Sequence, residues 1–180
     1  MGAIDGMARG LVKRCNCEER GDRFPANPRL WQTYFRTDVR GGMLFRHDGV
    51  RWVSDVLFKA GSFSSDILSG VTDFRCPVDD TYDIWVTDVR MALFPGATNN
   101  GSHYWTATAS KLNAADSPTT IGSAANTSAD STSTWVRKTI TVDEVVAQAT
   151  YLSLRLRFSK TGAPSDIAAI GEIDYRLIGV

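Results

Sequence analysis

The segment from Leu152 to Ser159 constrains the chain most, because Leu152, Leu154, Leu156 and Phe158 alternate with Ser153, Arg155, Arg157 and Ser159. A period of two gathers apolar side chains on one face of an extended strand and polar ones on the other, whereas a helix would scatter the same leucines around its circumference. Such a strand asks for an antiparallel sheet covered on one face. The pattern recurs at Ile173, Tyr175 and Leu177, which alternate with Glu172, Asp174 and Arg176 in a terminal strand ending at Val180. If these two strands pair, Arg155 and Arg157 face Glu172 and Asp174 on an outer surface. Upstream, Tyr82, Ile84 and Val86 alternate in one phase and Val89, Met91 and Leu93 in the other, which predicts a bulge or bend near Thr87 and Asp88.

Residues Tyr104–Thr108 and Trp135–Val142 read as further strands, and the polar stretch 113–134 as a long surface connection with one short strand near Thr119–Ile121. A brief helical turn is expected over Asp143–Ala149, capped by Thr141 or Asp143. Six to eight strands separated by turn signals predict an all-β chain, with an antiparallel, jelly-roll-like β-sandwich over residues 60–180.

The first third reads differently. Residues 1–22 mix glycines and charges with few apolar anchors, which predicts an arm or tether. Residues 23–58 form a small antiparallel meander: Trp31–Asp38, a Gly41–Gly42 turn, Met43–Phe45, a His47–Asp48–Gly49 turn, and Val50–Val53. A meander of this size is too small to close a core by itself, so its rings need cover from elsewhere. Trp31, Tyr34, Phe35, Phe45 and Trp52, with Arg46, are therefore expected at an interface with another subunit or protein, where aromatics and arginine are enriched. Arg36, Arg40 and Arg51 lie among them, interspersed with Asp38 and Asp48, which suits anchoring better than a phosphate-binding surface.

The chemistry of sites is sparse. Twenty basic residues balance twenty acidic ones, so the charge excess of a nucleic-acid-binding domain is missing. No apolar stretch approaches the roughly 20 residues of a membrane span, and the N-terminus lacks a secretory apolar segment, so no membrane insertion and a soluble intracellular product are expected. His47 and His103 lack the context of a catalytic group, and the carboxylate pairs Asp79–Asp80 and Asp143–Glu144 read as solvated turns. Cys15 and Cys17, with distant Cys76, fit zinc poorly; free thiols are expected, with an inter-subunit disulfide as the sharper alternative. No cofactor is implied. The segment Asn99, Asn100, Gly101, Ser102, His103, Tyr104 runs hydrogen-bonding side chains into aromatics, and it is the candidate contact for a glycan, whose ring stacks on an aromatic while amides meet its polar edge. Trp105 reads as core.

Two segments carry a resemblance. Thr33–Asp38 followed by Met43–Val53 resembles a short β-module that recurs in phage tail fibres and other virion proteins. The C-terminal part, with Tyr104–Thr106, Trp135, Lys160–Ser165 and Tyr175–Ile178, is similar to β-sandwiches at the ends of phage and cyanobacterial fibre-like proteins. The resemblance implies a virion structural protein, commonly a homotrimer, whose N-terminal part attaches to other virion proteins while the C-terminal domain is displayed. The sparse site chemistry makes it non-enzymatic, and the 99–104 segment adds a host surface glycan as a candidate partner. A long shaft is missing from the sequence, which points to a short tail fibre or a baseplate component. The alternatives are a capsid cement or decoration protein, and a carbohydrate-binding module or glycan-degrading virion enzyme.

Overall fold

The computed structural model describes residues 19–68, 72–78, 81–132 and 134–179, with the backbone alone for 60–68. Cys15, Cys17, most of the expected arm and the Asp79–Asp80 pair lie outside the described residues. No helix occurs among those described, and the chain divides into two compact units, the first reaching Val56 and taking in Ile178 and Gly179, the second running from Leu57 to Leu177.

In unit 1, β1 (Glu19–Gly21) runs parallel to β2 (Thr33–Arg36), which pairs antiparallel with β3 (Met43–His47), and that strand with β4 (Trp52–Ser54). Ile178 and Gly179 then pair antiparallel with Val53 and Trp52. The turns follow residue type: Gly41, Gly42 and Gly49 take positive φ values of 80°, 114° and 104°, which other residues disfavour. Asp48 builds the second turn by accepting the Val50 and Arg51 N–H groups on Oδ1, both at 2.9 Å.

Unit 2 is a two-sheet β-sandwich. Its strands are β5 (Phe58–Leu68), β6 (Thr72–Pro77), β7 (Ile84–Phe94), β8 (Tyr104–Asn113), β9 (Pro118–Thr120), β10 (Ala125–Asn126), β11 (Val136–Val146), β12 (Tyr151–Thr161) and β13 (Ile167–Gly179). One sheet runs β5-β13-β7-β11 and the other β10-β8-β12-β6, with β9 also on β8; every pairing in this unit is antiparallel. Ile84, Val86, Val89, Met91, Leu93, Ile140, Ile167 and Leu177 line the buried side of the first sheet, and Trp105, Ala107, Leu154, Leu156 and Phe158 that of the second. Burying one such large side chain stabilises by about 1.5–3 kcal/mol, so alternation along these strands supplies the drive to stack the sheets.

The phase switch in β7 is a bulge: Tyr175 pairs with Val86 and Asp174 with Asp88, which leaves Thr87 extra. On the other side of β7 the register jumps between Thr141 and Glu144. There Asp143 takes a φ of 49° and its Oδ1 accepts the Trp85 indole N–H at 2.8 Å. The helical turn expected over Asp143–Ala149 does not form, because β11 continues to Val146; a turn begins instead at Ala147, whose carbonyl accepts from Thr150 and Tyr151.

Two expectations for β12 are overturned. It pairs with β6 and β8 rather than with β13, so Arg157 meets Asp73 and not Glu172 or Asp174. Nor is its polar face wholly outside: Arg155 is buried and Leu152 is exposed. A register irregularity between Tyr151 and Ser153 displaces Leu152 from the buried row.

Candidate functional site

Unit 1 is organised around Phe24, in a polar stretch before Pro25 where sequence reasoning placed no core residue. Its ring stacks on Trp52 with centroids 5.0 Å apart and planes at 14°, meets Phe45 edge-on at 5.1 Å, and lies 5.8 Å from Tyr34. The Arg36 guanidinium sits 4.5 Å above the same ring. A Cβ on Gly179 would fall 2.1 Å from the Phe24 ring, so the close approach of the last strand residues requires glycine there. Of the six residues expected at a partner interface, Tyr34, Phe45 and Trp52 are buried in this cluster. These three rings are sheltered within unit 1 because Phe24, ahead of the meander strands, and Ile178–Gly179, from the far end of the chain, complete its core.

The other three keep outward surface. Phe35 is half-buried, and Arg46 is exposed with its guanidinium 3.0 Å from Asp55. Trp31 is 63% exposed and adopts a φ of 63°, a region in which an aromatic side chain is sterically disfavoured. Its turn is pinned: the Trp31 N–H donates to the His47 carbonyl at 2.8 Å, the Gln32 N–H to the Arg29 carbonyl at 3.0 Å, and the Arg29 N–H to Gln32 Oε1 at 2.8 Å. Leu30 lies against Gly49, beside Val50, and both side chains are exposed. Leu30 and Trp31, adjacent in one turn, and Val50 in the next thus present three exposed apolar side chains on the turns of unit 1. Adjoining Val50 is an open groove of about 520 Å³, whose lining includes Phe24, Pro25, Arg36, His47 and Arg51.

Charges around it are locally balanced. Arg36 donates to both oxygens of Asp38, at 2.8 and 2.7 Å, and holds that carboxyl below its usual range. At Asp48, partial burial raises the pKa, but N–H donation from Arg51 and Val50 and the Arg51 charge outweigh it, and the net shift is downward. His47 is buried; its Nδ1 accepts the Gly49 N–H at 3.3 Å and its ring contacts Trp52.

The loop expected to contact a glycan lies between β7 and β8 and is stitched to its own unit. Asn99 is buried; its amide donates to the Thr127 carbonyl, and its Oδ1 accepts from the Thr127 hydroxyl. Asn100 Oδ1 accepts from the Ser102 and His103 N–H groups at 2.8 and 3.0 Å, and its amide donates to Thr98 O. His103 Nδ1 accepts the Ala163 N–H at 2.9 Å, which assigns the proton of the neutral ring to Nε2. These hydrogen bonds hold the loop's shape. Ser102 is exposed and Tyr104 half-buried, while Trp105 is buried with its indole N–H donating to Ser165 O at 2.9 Å.

Among the described residues, no group of three His, Cys, Asp or Glu side chains is placed to hold a metal ion. Cys76 is buried, and that burial pushes its thiol up to about 11, so it is protonated at neutral pH.

No family model matches this sequence, and no curated protein matches it. Among solved structures the chain is similar to T=1 particles derived from infectious bursal disease virus, at 18% identity over 88% of this chain and 37% of that one, with a TM-score of 0.41. It is also similar to the VP2 subviral particle of that virus, at 15% identity over 87% of this chain and 41% of that one, with a TM-score of 0.38. For the virus of the Gx strain the values are 13%, 87%, 37% and 0.39. The chain spans less than half the length of the chains it matches.

Proposed function

We propose that this chain is a non-enzymatic structural protein of a phage particle: a short tail-fibre or baseplate component, assembled as a homotrimer, that attaches to other virion proteins through unit 1 and displays the unit 2 sandwich to the host surface or to neighbouring subunits. The observation that carries this reading is the presentation of Trp31. A large ring is held outward, in a backbone conformation that costs roughly 1–2 kcal/mol, by hydrogen bonds that fix its turn. Strain of this kind clusters where a ligand or partner is clamped. Trp31, with Phe35 on β2 and Arg46 on β3, supplies the aromatic and arginine side chains that are enriched at interfaces. The module resemblance over Thr33–Val53 supports the same assignment. Within the display role, Ser102 and Tyr104 offer the outward side chains of the loop for a surface glycan.

The test is complementation of assembling particles with a doubly substituted chain, Leu30→Ser with Trp31→Ala. The variant is expected to fold with a stability within about 0.5 kcal/mol of the parent, as for other exposed substitutions, and to be lost from purified particles. Normal incorporation of the variant would overturn the assignment. Labelling the parent chain and imaging particles gives its position: signal over the whole shell would replace tail attachment with a capsid cement role.

A further inference from the structure

On the polar side of the sheet β10-β8-β12-β6, two arginines are directly opposed. In register, Arg155 of β12 lies between Arg75 of β6 and Ser110 of β8, and Arg157 lies between Asp73 and Thr108. Like charges facing each other on neighbouring strands are destabilising, so this arrangement works against the fold unless an anion relieves it. The carboxylates present do so incompletely. Both oxygens of Asp73 are taken by Arg157, at 2.7 Å each, which holds that carboxyl below its usual range. Arg75 is held by Asp116, at 2.7 and 3.0 Å. Arg155 is left with a long ion pair, Nη1 to Asp73 Oδ2 at 4.0 Å, although its side chain is only 8% exposed. Its Nε has no hydrogen-bond partner among the described residues. A buried guanidinium with an unspent donor is costly.

We propose that Arg75, Arg155 and Arg157 form a binding site for an oxyanion, either a free tetrahedral anion such as phosphate or sulfate or the carboxylate of an acidic sugar. Three guanidinium groups share two carboxylates, which leaves one positive charge, and the exposed Arg75 fork, once released by Asp116, is of the planar kind that matches oxyanions. Asp116 is the internal carboxylate that gives way. It is 59% exposed on a turn with a φ of 60°, so Arg75 can exchange it for a ligand oxygen while Asp73 stays locked beneath Arg157. Thr108, on the adjoining strand, lies opposite Arg157 and is half-buried. This site does not depend on where in a particle the chain resides.

The test is calorimetric titration of the full chain at low ionic strength with inorganic phosphate, sodium sulfate and sodium glucuronate, taken separately and followed by NMR of the arginine Nε–H groups. The expected result is saturable binding of at least one of the three, with a shift of the Arg155 Nε–H signal; the one that saturates tells a free anion from an acidic sugar. Arg75→Gln, an exposed change that leaves the core alone, should weaken binding at least tenfold, and Asp116→Ala should tighten it severalfold. Arg137→Gln, at an exposed arginine on β11 in the other sheet, should leave it unchanged. Non-saturating binding of all three anions, or equal losses in Arg75→Gln and Arg137→Gln, would overturn the site.

Discussion

The two units bury their apolar side chains by different means. Unit 2 spreads its core over apolar rows from two sheets, with Leu154, Leu156 and Phe158 on one and Val86, Val89, Met91 and Leu93 on the other. Unit 1 gathers Tyr34, Phe45 and Trp52 around a single ring, Phe24, which one glycine admits. A distributed core loses one contact set at a time, whereas a hub loses all its contacts with one residue. The comparison shows why a small β-unit can stand on few residues, and why those few tolerate little change.

The sharpest challenge is truncation in each core. Phe158→Ala should cost about 3–5 kcal/mol, read as a lower urea midpoint at unchanged m-value, because Phe158 is fully buried against Phe74 and the leucine row. Phe24→Ala should cost less, about 2–3 kcal/mol, since Phe24 is only half-buried, but the loss should fall on unit 1, with Trp52 fluorescence shifting before the unit 2 signal does. One coincident transition in both variants would erase the distinction between hub and distributed core. Gly179→Ala should cost about 1–3 kcal/mol by pushing the Phe24 ring off Trp52, and pairing it with Phe24→Leu should recover part of that loss.

The smallest effect concerns acid. Asp73 is held below the usual carboxylate range first by its hydrogen bonds with Arg157, against some desolvation, and then by the Arg157, Arg155 and Arg75 charges. A carboxylate with a lowered native pKa stabilises fully above its unfolded value of about 3.9, and that stability is lost as pH falls through the native value. Because Arg157 is 42% exposed, screening keeps the contribution to about 1 kcal/mol or less. Asp73→Asn should therefore flatten the acid limb of the stability profile below about pH 4 and leave the slope at neutral pH unchanged.

Much of unit 2 was legible in the sequence because a period of two states which side chains are inside. The β12 row held at Leu154, Leu156 and Phe158, and the β7 bulge showed as a change of phase at Thr87. What failed was partner choice. Nothing local to Arg155 and Arg157 says that Asp73 and Arg75 lie beside them, since β6 precedes β12 by more than seventy positions. Leu152 misled because a register irregularity breaks the period without changing composition. In unit 1 the three meander strands were legible from their turns, but Phe24 was not: a lone ring in a polar segment carries no periodicity. The Asn99–Thr127 pairing was equally silent, although the run of amides before Tyr104 did mark where the loop would be.

The fifth strand of unit 1 is borrowed from residues 178 and 179, and that borrowing sets an order of events during synthesis. The ribosome delivers the rings of Tyr34, Phe45 and Trp52 early, yet the backbone that completes their shelter arrives after all of unit 2 has been made. Unit 1 is thus begun before unit 2 and finished after it, and through that interval its rings lack the cover of residues 178 and 179.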